Sequence, residues 1–407
     1  AMMVNVSVAA EAGIFQFIAN ELIQFSQGKP LRLLIIMCSI TVLISAVINN
    51  ILTVIILIPL TITISRILNI DPSPYILTQA ILVNIGGTLF AISSIPNILI
   101  TTAARISFLD FFLNVGILSL IVFGCTLLFF MLLYKKELKV PSEGFRILKE
   151  FDAWTFIPNK ALLYKAMIAL IALLTMFIVI PSTLISPDII ALSVAIILVI
   201  ISKLDSTEII QKINLELVLY LLGIFIIAGA FELVGIVGVI AGFFSLLGGS
   251  SAFSQIIIIL WFSALLSSSI DNIPITKVLI PVIGDMTQGE SIAVKNQAYY
   301  ALAIGANWGD NLTPLGDNVL VVNLAEQNKR PISFGQFFKL GFFTTVYQLL
   351  VISLIFTLMF YLFIGIIILS IIALSIGIMY GIYKGSSNSL QKKINNIAEK
   401  CRNVIIK

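Results

Sequence analysis

Residues 267–281 read SSSIDNIPITKVLIP, and residues 45–59 read SAVINNILTVIILIP. The two stretches align without a gap, and seven of fifteen positions are identical: Ser45/Ser267, Ile48/Ile270, Asn50/Asn272, Ile51/Ile273, Leu57/Leu279, Ile58/Ile280 and Pro59/Pro281. Apolar identities arise easily by chance, whereas the shared Ser, Asn and terminal Pro do not. Asp271 and Lys277 stand inside one of these apolar stretches. An unpaired charge in hydrocarbon costs several kcal/mol, so the stretch must line something wet or bind something.

Composition supplies the setting. Hydrophobic residues make up 59% of the 407 positions and charged residues 11%, with a mean hydropathy of +1.11. Soluble domains are nearer half apolar and a quarter charged. Apolar runs long enough to cross a bilayer, about 17–25 residues, recur along the chain. The fold expected is therefore an all-α polytopic membrane protein whose first partner is the lipid bilayer. The net charge of +4 does not point to nucleic acid, because the basic residues fall in short loops. Cys38, Cys125 and Cys401 lie far apart without metal-type spacing. The absence of histidine excludes His relays, His–metal sites and Ser–His triads. No nucleophile constellation is present, so an enzyme is not expected, nor any cofactor beyond a coupling ion. AMMVNVSVAA carries no charged leader region and does not read as a signal peptide.

Loop charges set the topology. Lys135, Lys136, Lys139, Arg146, Lys149, Lys160 and Lys165 stand against four acids between 135 and 165, which places that loop in the cytoplasm of a plasma (inner) membrane protein. PSTLISPD (181–188) has no basic residue and falls outside. QGKPLR (27–32), Arg66, Lys203, EQNKR (326–330) and the tail from Lys384 fall inside when 252–282 enters and leaves from the outside. By the same reckoning, 31–68 enters and leaves from the cytoplasm. The tail, QKKINNIAEKCRNVIIK, reads as a solvated amphipathic helix without an assigned function.

Two further pairs of segments follow the same order. NIGGTLFAISSIPNILI (84–100) corresponds to AIGANWGDNLTPLGDNVLV (303–321), and AAEAGIF (9–15) to AFELVGIV (230–237). Asn50 to Asn97 is 47 residues and Asn272 to Asn318 is 46. Three blocks in one order make an internal repeat, and the charges put the copies in opposite orientation, a construction typical of secondary transporters. Each copy is expected to hold a re-entrant hairpin, 31–46 with 51–67 or 253–268 with 273–285, and a helix broken at 93–97 or 309–318. Non-helical backbone at membrane depth persists only where it lines a cavity or coordinates a ligand. The division expected is a first copy over 1–134, a basic cytoplasmic loop over 135–160 and a second copy over 161–335. C-terminal transmembrane helices over 336–384 and a basic cytoplasmic tail over 385–407 complete it. About 70 residues (161–231) precede the second AFELVG block but only about ten precede AAEAG, so the first copy is expected to lack two or more N-terminal helices.

SAVINN with Thr53, SSSIDN with Thr276, and GANWGDNLTPLGDN resemble the motifs of the ion transporter superfamily, in its antiporter, arsenite permease and P protein branch. The resemblance spans almost the whole chain. It implies a scaffold with a mobile transport part, an elevator-like movement, a homodimer, and sodium and substrate held between the two copies. Carried over by motif, the first cluster is Ser45, Asn49, Asn50 and Asn97, and the second is Ser267, Asp271, Asn272, Thr276, Thr313 and Asn318. Sodium would sit at Asn50, Asn97, Asn272 and Asn318. The chain departs from that pattern: Asn49 replaces a common Asp, SSIPN replaces a glycine-rich run, and Asp310 and Asp317 stand where small residues are usual. The acids gather in the second copy, which favours a sodium/proton antiporter-like exchange carrying a small inorganic or organic ion. The alternatives are an anion permease for arsenite or a carboxylate, and, from another class, an ion channel. Arg66 and Arg105 fall near membrane surfaces, which argues against a multivalent carboxylate.

Overall fold

The computed structural model is built of helices and describes residues 2–26, 29–135, 138, 154, 157, 159–180, 184–203, 215–249, 251–315, 318–385 and 388–406. Most of the 135–160 loop, together with Gly316 and Asp317, lies outside these residues. Helices α1 (Met2–Glu11) and α2 (Ile14–Gln24) are followed by α3 (Pro30–Val47), α4 (Asn50–Leu68), α5 (Ser73–Gly86) and α6 (Ile95–Ala104). Next comes α7 (Phe108–Tyr134), which carries one π-turn at Phe112–Gly116. Helices α8 (Lys160–Val179) and α9 (Pro187–Ser202) lead to α10 (Leu215–Leu233), α11 (Ile236–Gly248), α12 (Ala252–Ile270), α13 (Asn272–Met286) and α14 (Ile292–Gly309). The chain continues through α15 (Asn318–Gln327), α16 (Phe334–Phe360), α17 (Leu362–Gly385) and α18 (Asn388–Ile406).

Among the described residues, seven helices are long and apolar enough to cross a membrane, and the bent pair α10–α11 brings the number to eight. That pair turns by 72° at a short break. Gly235 sits in the break with φ +78°, and Gly13, its partner in the AAEAGIF block, has the same φ between α1 and α2. A left-handed backbone there favours glycine, so one residue type ends a helix at the same place in both copies.

Sequence order predicts the rest of the element order twice over. Helices α3 and α4 form the first hairpin and α12 and α13 the second, each with limbs that touch. The limbs of the first are 18 and 19 residues, or about 27–28 Å at 1.5 Å per residue, longer than the short limbs expected. Each hairpin packs its first limb on the helix that follows it, α3 on α5 and α12 on α14. The half-helices then cross over: α6 of the first copy packs on α13 of the second, and α15 of the second packs on α4 of the first. Helix α7 leans on α3 as α16 leans on α12. Such reciprocity puts the buried core at the meeting of the two copies. Trp308, Asn84, Asn97, Asn307 and Asn311 are all fully enclosed there.

Candidate functional site

Close approach of the hairpins to α5 and α14 depends on glycine. A Cβ on Gly86 would lie 2.7 Å from the Val42 carbonyl oxygen, and one on Gly309 would lie 2.2 Å from that of Ala264. Val42 and Ala264 are equivalent in the repeat, as are Gly86 and Gly309. Small residues let the backbones touch, and hydroxyls then bridge them. Ser45 Oγ donates to the Val83 carbonyl at 2.6 Å, and Ser267 Oγ donates to the Ala306 carbonyl at 2.6 Å. These are the same bond made twice.

The breaks are tied in the same paired fashion. Helix α5 ends at Gly86 and α6 starts at Ile95; α14 ends at Gly309, passes through one 3-10 turn at Asp310–Leu312, and α15 starts at Asn318. Asn97 Nδ2 donates to the Gly87 carbonyl at 2.7 Å, and Asn318 Nδ2 donates to the Asp310 carbonyl at 2.9 Å. Ser93 Oγ donates to the Ala46 carbonyl, and Thr313 Oγ1 donates to the Ser268 carbonyl, which fastens each break to the end of a hairpin limb. Carbonyls freed by the broken helices are thus satisfied by side chains, as burial demands.

Three asparagines that motif reading passed over join the two halves. Asn50 Nδ2 donates to Asn84 Oδ1 at 2.6 Å, and Asn84 Nδ2 donates to Asn311 Oδ1 at 2.7 Å. Asn307 Nδ2 donates to Asn97 Oδ1 at 3.0 Å. The bonds Asn84–Asn311 and Asn307–Asn97 both run from one copy to the other. The signal was present in the sequence: Asn84 lies 34 residues after Asn50, and Asn307 lies 35 after Asn272. Trp308 Nε1 donates to Thr88 Oγ1 at 3.1 Å, and Thr88 pairs with Ser119 of α7, which extends the polar network outward.

The sequence-predicted residues divide by role. Ser45, Asn50, Asn97, Ser267, Thr313 and Asn318 are built into the breaks and hairpins as described. Asn272 is the buried first residue of α13. Thr276 is fully buried, and its hydroxyl has no hydrogen-bond partner among the described residues, a property shared with Asn307 Oδ1. Asp310 is buried within the 3-10 turn. Asp317 lies outside the described residues. Asn49 acts as a helix cap, its side chain accepting from the Leu52 amide at 2.9 Å.

Asp271 differs from its partner Asn49 in backbone as well as charge. Asn49 has φ −66°, while Asp271 has φ +86° with ψ 147°, a region that favours glycine. Its carboxylate accepts from the Asn272 amide at 2.7 Å and from the Tyr220 hydroxyl of α10 at 3.0 Å. Lys277, six residues further along α13, points elsewhere. Its Nζ lies 4.8 Å over the Phe225 ring, beside a cavity of about 280 Å³ that Glu232 and Pro281 also line.

A chain with seven or eight apolar spans among the described residues, whose buried amides gather where two broken helices meet two hairpins, is built as a membrane transporter. The particular family follows from comparison: the chain belongs to the citrate transporter family, whose profile matches residues 1–305. It is 29% identical over 351 residues to a 46 kDa membrane protein of Mycobacterium leprae, covering 86% of this chain and 82% of that one. An uncharacterized transporter of Mycobacterium tuberculosis is 28% identical over 352 residues, with the same coverage. The P protein of Mus musculus is 28% identical over 424 aligned residues, covering 84% of this chain and half of that protein.

Proposed function

We propose that this transporter is a secondary active one, coupled to sodium or protons, that moves a small ion by elevator-type alternating access of two inverted copies. One observation carries the reading: the two breaks are fastened by three equivalent hydrogen bonds in each copy and joined across the centre by asparagines. Inverted repeats with discontinuous helices are the usual frame of alternating access. Neutral amide oxygens are hard ligands that suit a monovalent cation without trapping it. Asn50, Asn97, Asn272 and Asn318 are the sodium ligands in this reading, and the unpartnered oxygens of Thr276 and Asn307 enlarge the set. Asp271, Asp310 and Asp317 are the groups that exchange a proton for the cation. No chemical conversion of the substrate is part of this reading. A homodimer would cover apolar side chains such as Leu233 and Leu246, which are 90% and 81% exposed in the monomer.

A second observation bears on the cargo. Helices α4, α6, α13 and α15 all begin at the site, at Asn50, Ile95, Asn272 and Asn318. Helix N-termini present unsatisfied backbone N–H groups and a partial positive charge, which favours an anion. A small carboxylate or an oxyanion is therefore the cargo favoured over a second cation, with the amides holding the coupling ion beside it.

Flux in proteoliposomes under imposed sodium and pH gradients tests both parts, with wild type compared with Asp271→Asn and Asn307→Ala. Gradient-driven uptake that saturates with a small monocarboxylate or arsenite, and falls in Asn307→Ala, is the expected result. Flux indifferent to either gradient sinks the coupling, and flux that rises linearly without saturation makes the chain a channel.

A further inference from the structure

The C-terminal helix has no part in the transport site, yet its build is specific. Apolar Ile394, Ile397, Cys401, Val404 and Ile405 recur at three- and four-residue spacing on one side of α18. The remaining faces carry Lys392, Lys393, Lys400 and Arg402 against a single acid, Glu399, which pairs with Arg402 at 3.6 Å. The helix is fixed at a corner: Gln391 Nε2 donates to the Tyr383 carbonyl at 3.0 Å, and Asn395 Nδ2 donates to the Tyr383 hydroxyl at 3.2 Å. Tyr383 is in the last turn of α17, the most apolar of the spans. A helix fastened to the end of a membrane span lies at the membrane surface.

Only part of the apolar stripe is used within the molecule. Ile405 and Ile406 pack against the core by way of α16, with which α18 is in contact. Ile397 and Val404 remain 62% and 57% exposed, with Cys401 also exposed between them. Lys393 and Lys400 border that strip along one edge of the helix surface. Exposed apolar side chains bordered by lysines, on a helix held at the end of a span, match the pattern of helices that lie in the plane of a bilayer. We propose that α18 is an interfacial helix that seats Ile397, Cys401 and Val404 in the headgroup boundary of an anionic leaflet, with Lys393 and Lys400 on its phosphates. Charge complementarity and the tether to α17 select lipid over other occupants of the strip. The seating would fix the corner with α17 and, through α16, brace the helix that packs against the second hairpin.

The test uses the full chain with Cys38→Ala and Cys125→Ala, leaving Cys401 to carry a solvatochromic fluorophore. The protein is reconstituted into phosphatidylcholine vesicles with or without phosphatidylglycerol. Expected are blue-shifted emission and quenching by lipid-borne quenchers when phosphatidylglycerol is present. Lys393→Glu with Lys400→Glu lowers the inserted-to-free ratio by at least about 25-fold, about fivefold for each lysine charge lost with repulsion of the two new carboxylates in addition, and high salt weakens insertion of the wild type. Water-like emission in both vesicle types overturns the proposal, as does insertion unaffected by the double charge reversal. A shift that instead scales with protein-to-lipid ratio, accompanied by Cys401–Cys401 disulfides in unlabelled protein, assigns the strip to a second copy and overturns it as well.

Discussion

At Asp271 a strained backbone and a carboxylate occupy one position, so substitutions can separate their effects. Holding a non-glycine residue at φ +86° costs about 1–3 kcal/mol. Asp271→Gly removes that strain together with the charge, whereas Asp271→Asn removes the charge alone. Both are expected to lose sodium- or proton-driven uptake, while Asp271→Gly unfolds at a temperature equal to or above wild type in a detergent melt. A clear drop in its melting temperature would show that the carboxylate is held for stability. The glycines give a second residue-scale expectation. Gly309→Ala drives a Cβ to 2.2 Å from the Ala264 oxygen and costs about 3 kcal/mol, since packed backbone gives way poorly. Gly86→Ala, whose nearest contacts are at 2.7 Å, costs less. Gly284→Ala meets nothing within 4 Å and is expected to be neutral or stabilising by up to about 1 kcal/mol. Melting temperatures that do not fall in this order would mean that α12 and α14 can part. Asn50, Asn97, Asn272 and Asn318 were legible from the repeat alone. Tyr220 was not, because it reaches Asp271 across 51 residues of chain, and neither its type nor its spacing marks it.

Among the elements, α10 bears most directly on the second hairpin. It meets α13 through the Tyr220–Asp271 hydrogen bond and the Phe225–Lys277 contact. The hydroxyl of Tyr220 occupies an oxygen that a coupling cation would need. Tyr220→Phe frees it and is expected to tighten apparent cation affinity about fivefold, the equivalent of about 1 kcal/mol for one hydrogen bond. An unchanged half-saturation for sodium and for protons would remove Asp271 from the coupling path. The broken helices were visible in sequence because Gly, Pro, Ser and Asn interrupt apolar runs, but their bounds were not. The first break opens at Gly87, six residues before the SSIPN stretch, since the Asn97 side-chain amide, not a helical partner, satisfies the Gly87 and Phe90 carbonyls.

For the molecule as a whole, the proposed mechanism rests on the two copies having opposite orientation. Loop charge puts the connections after the two hairpins on opposite sides of the membrane. Asp71→Cys, after α4, and Gln288→Cys, after α13, are both exposed positions. In sealed vesicles of one orientation, a membrane-impermeant maleimide is expected to reach one and not the other. Labelling of both from the same side would dismiss inverted copies and the elevator with them. The crossed packing of α6 on α13 and of α15 on α4 is the twofold exchange that such copies would make.

Sequence by itself determined the membrane class, the repeat and the identity of the polar residues at its breaks. Hydropathy and the order of small and polar residues along the chain are local properties, and lipid leaves the backbone few ways to be satisfied. Tertiary structure alone decided which amides face each other. It made Asn49 a helix cap and bent Asp271 into a glycine-favouring conformation beneath Tyr220. It also placed Asn84, Asn307 and Asn311 at the centre. The physical reason is that a hydrogen bond between copies depends on how two helices cross, and the partners it joins lie 227 and 210 positions apart in the chain.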